Sequence, residues 1–304
     1  MPDPTPVEPP HDRTPVITIT HQPAVSAAPT TKTSIFHVSD LHFGRPAVPE
    51  QIDAIEALIE EGKFDVVAIS GDLTQRSRHG EFQRAKAFIR DAERASRTIV
   101  VPGNHDVRWW RSPLHLRGTQ ELYAQYRRYI SAELEPVLRV PGATFVGINT
   151  AQGVTVRTLT WNIHDLSIIG DVRKNQIERA RTEFVASPPG DARVIVMHHN
   201  PVKGELSGRH GLKNTKKVLG AFAQIGVDLI LCGHDHQEAI HYIEHTQKGT
   251  VISTAGTVSS RSRGGRPSSV AVIVITPTTI EVATLVWTPA SRTFTAGPSR
   301  SFDR

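Results

Sequence analysis

Disulfides are excluded in this chain: its 304 residues include a single cysteine, Cys232. A domain of this length buries enough surface to hold itself together without a covalent staple. One thiol also fits a reducing compartment. Long apolar runs are missing as well. No stretch of eighteen or more apolar residues occurs, so no membrane span is expected. The N-terminal segment lacks a basic region followed by a continuous apolar run, so it does not read as a secretory signal, and a cytoplasmic location is expected. No repeat recurs at solenoid periods. Charge of one sign does not dominate either. Thirty-five Lys and Arg against thirty Asp and Glu leave a net +5. Such mild basicity suits an anionic substrate but does not by itself indicate nucleic acid.

What is present begins with a Pro- and Thr-rich leader, residues 1–33, expected to be disordered or loosely packed apart from a short strand at Val16–Thr20. Residues 34–289 read as one domain, and residues 290–304 as a mobile tail. Within the domain, apolar runs at Ser34–Ser39, Asp65–Ser70 and Arg97–Val101 alternate with helical periodicity at Pro49–Gly62 and Glu81–Ala95. This β-α-β-α-β order implies a parallel sheet. A helix is expected over Thr119–Leu134, strands at Ala143–Asn149 and Leu166–Ile169, and a helix at Arg173–Val185. A strand at Arg193–Met197, a helix at Lys213–Ile225 and a strand at Asp228–Cys232 follow. From Glu238 onward, short-connected strands at Glu238–Glu244, Thr250–Thr254, Ser269–Thr276 and Ile280–Trp287 look antiparallel. An α/β fold of two packed sheets flanked by helices accommodates this order.

Short polar motifs follow the apolar runs: Asp40-Leu41-His42, Gly71-Asp72, Gly103-Asn104-His105-Asp106, His198-His199 and Gly233-His234-Asp235-His236. Each supplies oxygen or imidazole nitrogen donors at a strand end, where open α/β sheets place their chemistry. Singly, most have a bland alternative. Asp40 could cap a turn with His42 as a loop residue, and Gly71-Asp72 is an ordinary strand-to-turn pair. The i, i+2 spacing of Asp40 with His42 and of His234 with His236 puts both members on one face, as chelation needs. Together Asp40, His42, Asp72, Asn104, His198, His234 and His236 offer seven ligands for two metal ions, with Asp72 shared. No thiolate takes part, so an iron–sulfur site is not expected. Mixed carboxylate, amide and imidazole donors suit two divalent or trivalent ions of Mn, Fe, Zn or Co.

The ordered set DLH, GD, GNHD, HH and GHDH, from about Ser34 to His236, resembles the calcineurin-like metallophosphoesterase superfamily. The resemblance implies a four-layered α/β/β/α sandwich of two mixed β-sheets. It also implies one ion on Asp40, His42, Asp72 and His236, and another on Asp72, Asn104, His198 and His234. His199 would then stand behind the ligands, His105 would be the general acid, and Asp106 would orient it. The stretches SDLHFG, SGDLT, PGNHD and MHH are similar to those of bacterial cyclic-nucleotide and glycerophosphodiester phosphodiesterases, although Asn200 stands where that subgroup usually has Pro.

The reaction so implied is attack on phosphorus by a hydroxide bridging two ions, with an imidazole protonating the leaving alkoxide. The leading substrate is a small phosphodiester such as a 3′,5′-cyclic nucleotide. A phosphomonoesterase, a DNA or RNA nuclease of the same superfamily, and a non-catalytic metal-stabilised scaffold are the competing readings. Nucleic acid is not favoured, since no long basic face is apparent. A homodimer is suggested by analogy alone. Arg45, Arg76, Arg78 and His79 follow ligand loops and read individually as solvated. The basic loop Arg261-Ser262-Arg263-Gly264-Gly265-Arg266 reads as an exposed linker that could rim the site. Trp109 and Trp110 read as core residues.

Overall fold

Alternation along nearly all-apolar strands sends successive side chains to two different cores. In β1 (Thr33–Val38), Phe36 and Val38 point one way and Ile35 the other. In β2 (Val66–Ile69), Val67 and Ile69 likewise oppose Val66 and Ala68. Strands that are apolar on both faces must be covered on both, which is the condition of an inner strand. In this computed structural model, residues 31–108, 122–152, 169–206, 208, 211–245 and 248–304 are described. Residues 1–30 of the leader with its expected strand at Val16–Thr20, residues 166–168 of another expected strand, and Trp109 and Trp110 lie outside them, whereas Thr33 at the leader's end already belongs to β1.

Two mixed sheets of six strands result. The first has the order β12-β11-β10-β1-β2-β3, where β3 is Arg97–Val100, β10 Ser269–Ile275, β11 Thr279–Thr288 and β12 Thr293–Asp303. β1, β2 and β3 are parallel, whereas β10, β11 and β12 run antiparallel. The second has the order β4-β5-β6-β7-β9-β8, with β4 at Val137–Val140, β5 at Ala143–Ile148, β6 at Ala192–His199, β7 at Leu229–Gly233, β8 at Ala239–Ile243 and β9 at Thr250–Thr254. Here β5, β6, β7 and β9 are parallel, with β4 and β8 antiparallel at the edges.

Three cores separate the layers. Helices α1 (Pro49–Gly62) and α2 (His79–Ala95) lay Ile52, Ile55, Phe82 and Phe88 against the first sheet. Ile35, Ala68, Phe145, Val194, Leu231 and Ile273 fill the space between the sheets. Helices α4 (Lys174–Val185) and α5 (Thr215–Gln224) cover the second sheet through Ala180, Phe184, Val218 and Phe222. The arrangement is the expected α/β/β/α sandwich.

Three expectations need correction. The helix over Thr119–Leu134 is, among the described residues, a short α3 at Ala124–Tyr129. It stops because Ser131 and Glu133 side chains accept the backbone N–H groups of Glu133 and Glu135 and turn the chain away from helix. Strand β4 was not anticipated. The tail from residue 290 is not loose: Thr293–Asp303 pairs along the edge of β11. A register shift next to Gly297 and Pro298 turns the strand over, so Phe294 packs on Trp287 beneath the helices while Phe302 stacks on Tyr242 between the sheets. Proline is tolerated there because β12 is an edge strand.

Candidate metal centre

All five motifs leave the C-terminal ends of parallel strands, β1, β2 and β3 in one sheet and β6 and β7 in the other. Backbone bonds tie the ends together. Asp40 N–H donates to Gly71 O at 3.1 Å, His42 N–H to Asp72 O at 3.0 Å, and His234 N–H to Asp40 Oδ2 at 2.9 Å. Glycine is needed where these turns touch. A Cβ on Gly103 would lie 2.2 Å from Asp72 Oδ1, and one on Gly233 would lie 2.4 Å from Asp40 Oδ2.

The result is two adjoining groups of donors. In the first, His42 Nε2 and His236 Nε2 face each other at 3.0 Å, with Asp40 Oδ1 3.1 Å from His236 Nε2 and Asp72 Oδ2 3.7 Å from His42 Nε2. In the second, Asn104 Oδ1 lies 3.1 Å from both His198 Nε2 and His234 Nδ1, and His198 Nε2 lies 3.4 Å from Asp72 Oδ2. Asp72 therefore stands between the groups. The seven sequence-selected side chains all converge, and all but the partly buried His234 are buried.

The donor set fits cations. Asp40, His42, Asp72 and His236 bring one ligand atom each to within 4.8 Å of one another, as do His198, His199 and His234. Asp40 Oδ1 is buried with no protein hydrogen bond. His198 Nδ1 meets Ser70 O at 2.9 Å and His236 Nδ1 meets Arg261 O at 3.1 Å. A carbonyl accepts only, so each Nδ1 carries the proton and each Nε2 offers its lone pair inward, the usual support for a metal-bound imidazole. Backbone strain concentrates here too. Asp40, His42, Asp72, His234 and His236 all have positive φ, between 45° and 74°. Non-glycine residues hold such angles only where the surroundings dictate them.

Electrostatics follow the crowding. Burial raises the Asp40 and Asp72 carboxyls, yet facing imidazoles, His236 first for Asp40 and His198 first for Asp72, hold both well below the usual range. Burial pushes His234 down to about 3 and His42 and His199 below their usual value. Burial would also lower His198, but Asp72 overrides it and lifts the imidazole to about 9. Anionic Asp40 and Asp72 with neutral His42, His199 and His234 are the protonation states that cation binding requires, whereas His198 would give up its Nε2 proton in exchange for a cation.

Three residues beside the donors take places that the motifs did not specify. His199 Nδ1 is 2.7 Å from Thr150 Oγ1, and its ring centroid lies 4.5 Å from that of His234. His105 donates its backbone N–H to Asp72 Oδ1 at 2.8 Å, and its Nδ1 meets Gln75 O at 2.8 Å. Its ring stands edge-on to His42 with centroids 4.9 Å apart. The carbonyl of Gln75, rather than Asp106, thus orients the His105 ring. Asp106 instead accepts from the backbone N–H groups of Leu73, Thr74 and Gly103 and from Thr74 Oγ1, at 2.8–3.1 Å. It ties the loop after β2 to the loop after β3. Burial and then the Asp72 charge push its carboxyl up to about 7, against those backbone donors.

The profile described as Calcineurin-like phosphoesterase matches residues 33–238, which include every one of these side chains. The chain belongs to the calcineurin-like phosphoesterase family. No curated protein matches the sequence. Among solved structures, the fold is similar to purple acid phosphatase PPD1 from yellow lupin (Lupinus luteus) seeds, with 12% identity and a TM-score of 0.63. That similarity covers 90% of this chain but 54% of the lupin protein, so the chain spans about half the length of that relative. A dimetal phosphatase from Danio rerio is similar at 10% identity and a TM-score of 0.61, over 89% of this chain and 98% of that one. At these identities the likeness is one of fold. Membership of the family, together with two groups of residues able to hold metal ions, makes a metal-dependent phosphoester hydrolase the supported activity class. Among the described residues, no helix is long and apolar enough to cross a membrane.

Proposed function

We propose that the protein is a binuclear metal-dependent phosphodiesterase acting on a small phosphodiester, a 3′,5′-cyclic nucleotide being the leading candidate. One ion would be held by Asp40, His42, Asp72 and His236, the other by Asp72, Asn104, His198 and His234. The observation that carries the proposal is the convergence of these donors around Asp72 with an anchored imidazole, His105, at their side. When bound, two ions polarise the phosphoryl group and activate a water molecule as nucleophile.

The chain's own groups do the rest. Ser70 O and Arg261 O keep His198 and His236 in the tautomer that presents Nε2. The His105 backbone N–H donates to Asp72 Oδ1, so the carboxylate that both ions would share and the imidazole that would donate the proton are fixed to each other. Gln75 O holds the His105 ring by Nδ1 and leaves Nε2 facing the site, where the ring, as an imidazolium, would deliver its Nε2 proton to the leaving alkoxide. Preference for diesters rests on the likeness of SDLHFG, SGDLT, PGNHD and MHH to bacterial phosphodiesterases. A cytoplasmic location rests on the lone Cys232, since a single thiol suits a reducing compartment.

The direct test is turnover of bis-p-nitrophenyl phosphate against p-nitrophenyl phosphate by one Mn²⁺-reconstituted preparation. Faster diester hydrolysis is the expected result and leads to cyclic nucleotides next. Faster monoester hydrolysis would make the protein a phosphomonoesterase. Two bound metals with no turnover of either ester would count against an enzyme.

A further inference from the structure

The basic loop after β9 carries three arginines within six residues, and their surroundings differ. Arg266 is paired with Glu205 at 3.1 Å and with Glu238 at 3.5 Å, which pins the far end of the loop. Arg263 is exposed. Arg261 is half-buried and turns inward: its Nη1 lies 3.2 Å from His105 Nε2 and 3.2 Å from Gln75 Oε1. Among the described residues it is the cationic side chain hydrogen-bonded to an imidazole of the candidate centre. Its own carbonyl oxygen accepts from His236 Nδ1, so the backbone of Arg261 is fixed to the donors while its side chain overhangs them. The loop is therefore not merely the exposed linker that its composition suggested.

The disposition of the guanidinium is specific. His105 Nδ1 faces a carbonyl, which leaves Nε2 as the ring atom turned to Arg261, and Nη1 of Arg261 donates there while no substrate is bound. Nη1 carries both of the side chain's hydrogen bonds, while Nε and Nη2 make none among the described residues. Nε and Nη2 form the side-on edge of a guanidinium, whose two parallel N–H groups match two oxygens of one phosphoryl group. That edge is unclaimed and can meet an anion directly, and only the two Nη1 bonds, to His105 and Gln75, are exchanged if the side chain shifts.

We infer that Arg261 is the substrate-positioning cation of this site and grips two phosphoryl oxygens through Nε and Nη2. This deepens the phosphoesterase reading and rests on it. It assigns the loop a substrate role and leaves Arg263 and Arg266 outside it. When the guanidinium shifts onto the phosphoryl group, His105 Nε2 is uncovered toward the leaving group.

The test is calorimetric binding of inorganic phosphate to Mn²⁺-loaded protein, alongside metal content and steady-state kinetics, for Arg261→Gln, Arg261→Lys and Arg263→Gln. With Arg261→Gln, phosphate affinity should fall about tenfold or more and KM for bis-p-nitrophenyl phosphate should rise, since a charge-assisted pair is removed. Metal content should hold, because the carbonyl that supports His236 belongs to the backbone. Arg261→Lys keeps the charge and loses the fork, so it should recover only part of the affinity. Arg263→Gln should match the wild type. Added guanidinium ion should restore part of the binding lost in Arg261→Gln. Equal phosphate affinity in wild type and Arg261→Gln, at equal metal content, would overturn the inference even if both hydrolyse esters. Arg261-dependent phosphate binding without turnover of any ester would uphold it and sink the phosphodiesterase reading instead. If Arg261→Gln lost metal, Arg261→Lys with full metal content would decide, weakened phosphate binding supporting the assignment and wild-type binding refuting it.

Discussion

Asp72 touches more of the site than any motif-level reading suggests: it faces His42 and His198, receives the His105 backbone N–H, and packs against Gly103. Asp72→Ala should therefore lose metal and reduce turnover by several orders of magnitude; elemental analysis with both ions retained and a full rate would contradict its bridging place. His105→Ala should keep both ions and slow esters of poor leaving groups far more than activated nitrophenyl esters, because only the former need a proton in the transition state. A parallel loss on both kinds of ester would remove the general-acid role. His37 makes a different prediction. It is buried between the sheets with Nε2 2.9 Å from Ser70 Oγ, and burial pushes it down to about 3 despite the Asp40 charge. The unfolded chain takes up this proton near pH 6.5, whereas the folded one refuses it until about pH 3. Its contribution is thus complete above pH 6.5 and is lost as pH falls toward 3, by at most about 1.4 kcal/mol per pH unit. Urea unfolding of wild type and His37→Phe across that window should show a shallower pH slope in the variant; coincident slopes would exclude His37 as the source.

Elements differ in how much of themselves they declare. β1, β2, β6 and β7 were legible because each is a short apolar run ending in a polar motif, and α1 because its apolar periodicity begins at Pro49 and stops at Gly62. The convergence of the candidate ligands could be read for the same reason: i, i+2 spacing at a strand end is local information. β12 could not, since Gly297, Pro298 and four serines or threonines mask its alternation, and its pairing with β11 is a tertiary fact. The orientation of His105 was illegible too. Its partners Gln75 and Arg261 reach it from 30 and 156 residues away, and only folding brings those loops together. The edge strand is consequential all the same. Phe294 is 7% exposed against Trp287. Phe294→Ala should cost about 3 kcal/mol, as truncation of a buried aromatic does. A midpoint unchanged in chemical denaturation would mean that β12 only decorates the sheet.

At the scale of the whole molecule, the candidate metal centre joins two sheets that otherwise meet through apolar side chains. Ions bound only by the folded state add stability by mass action, about 2.7 kcal/mol for one site at a hundredfold excess over Kd. Removing them with a chelator should lower Tm by several degrees, and re-adding Mn²⁺ should restore it. A Tm indifferent to chelation would mean that the donors do not hold ions at these concentrations. The pairing of β1 has a separate consequence, for synthesis. Thr33–Val38 lies between β2 and β10, and its β10 partners are Ala271–Ile275. As the chain leaves a ribosome, the strand that carries Asp40 and His42 emerges early and waits more than two hundred residues for its second neighbour. Until then one edge of β1 is unpaired and the nascent chain has an incomplete first sheet. Growing chains shorter than about residue 275 are thus clients for chaperones, and the segment from Ser269 onward, which contributes none of the motif residues, decides when the first of them are locked in place.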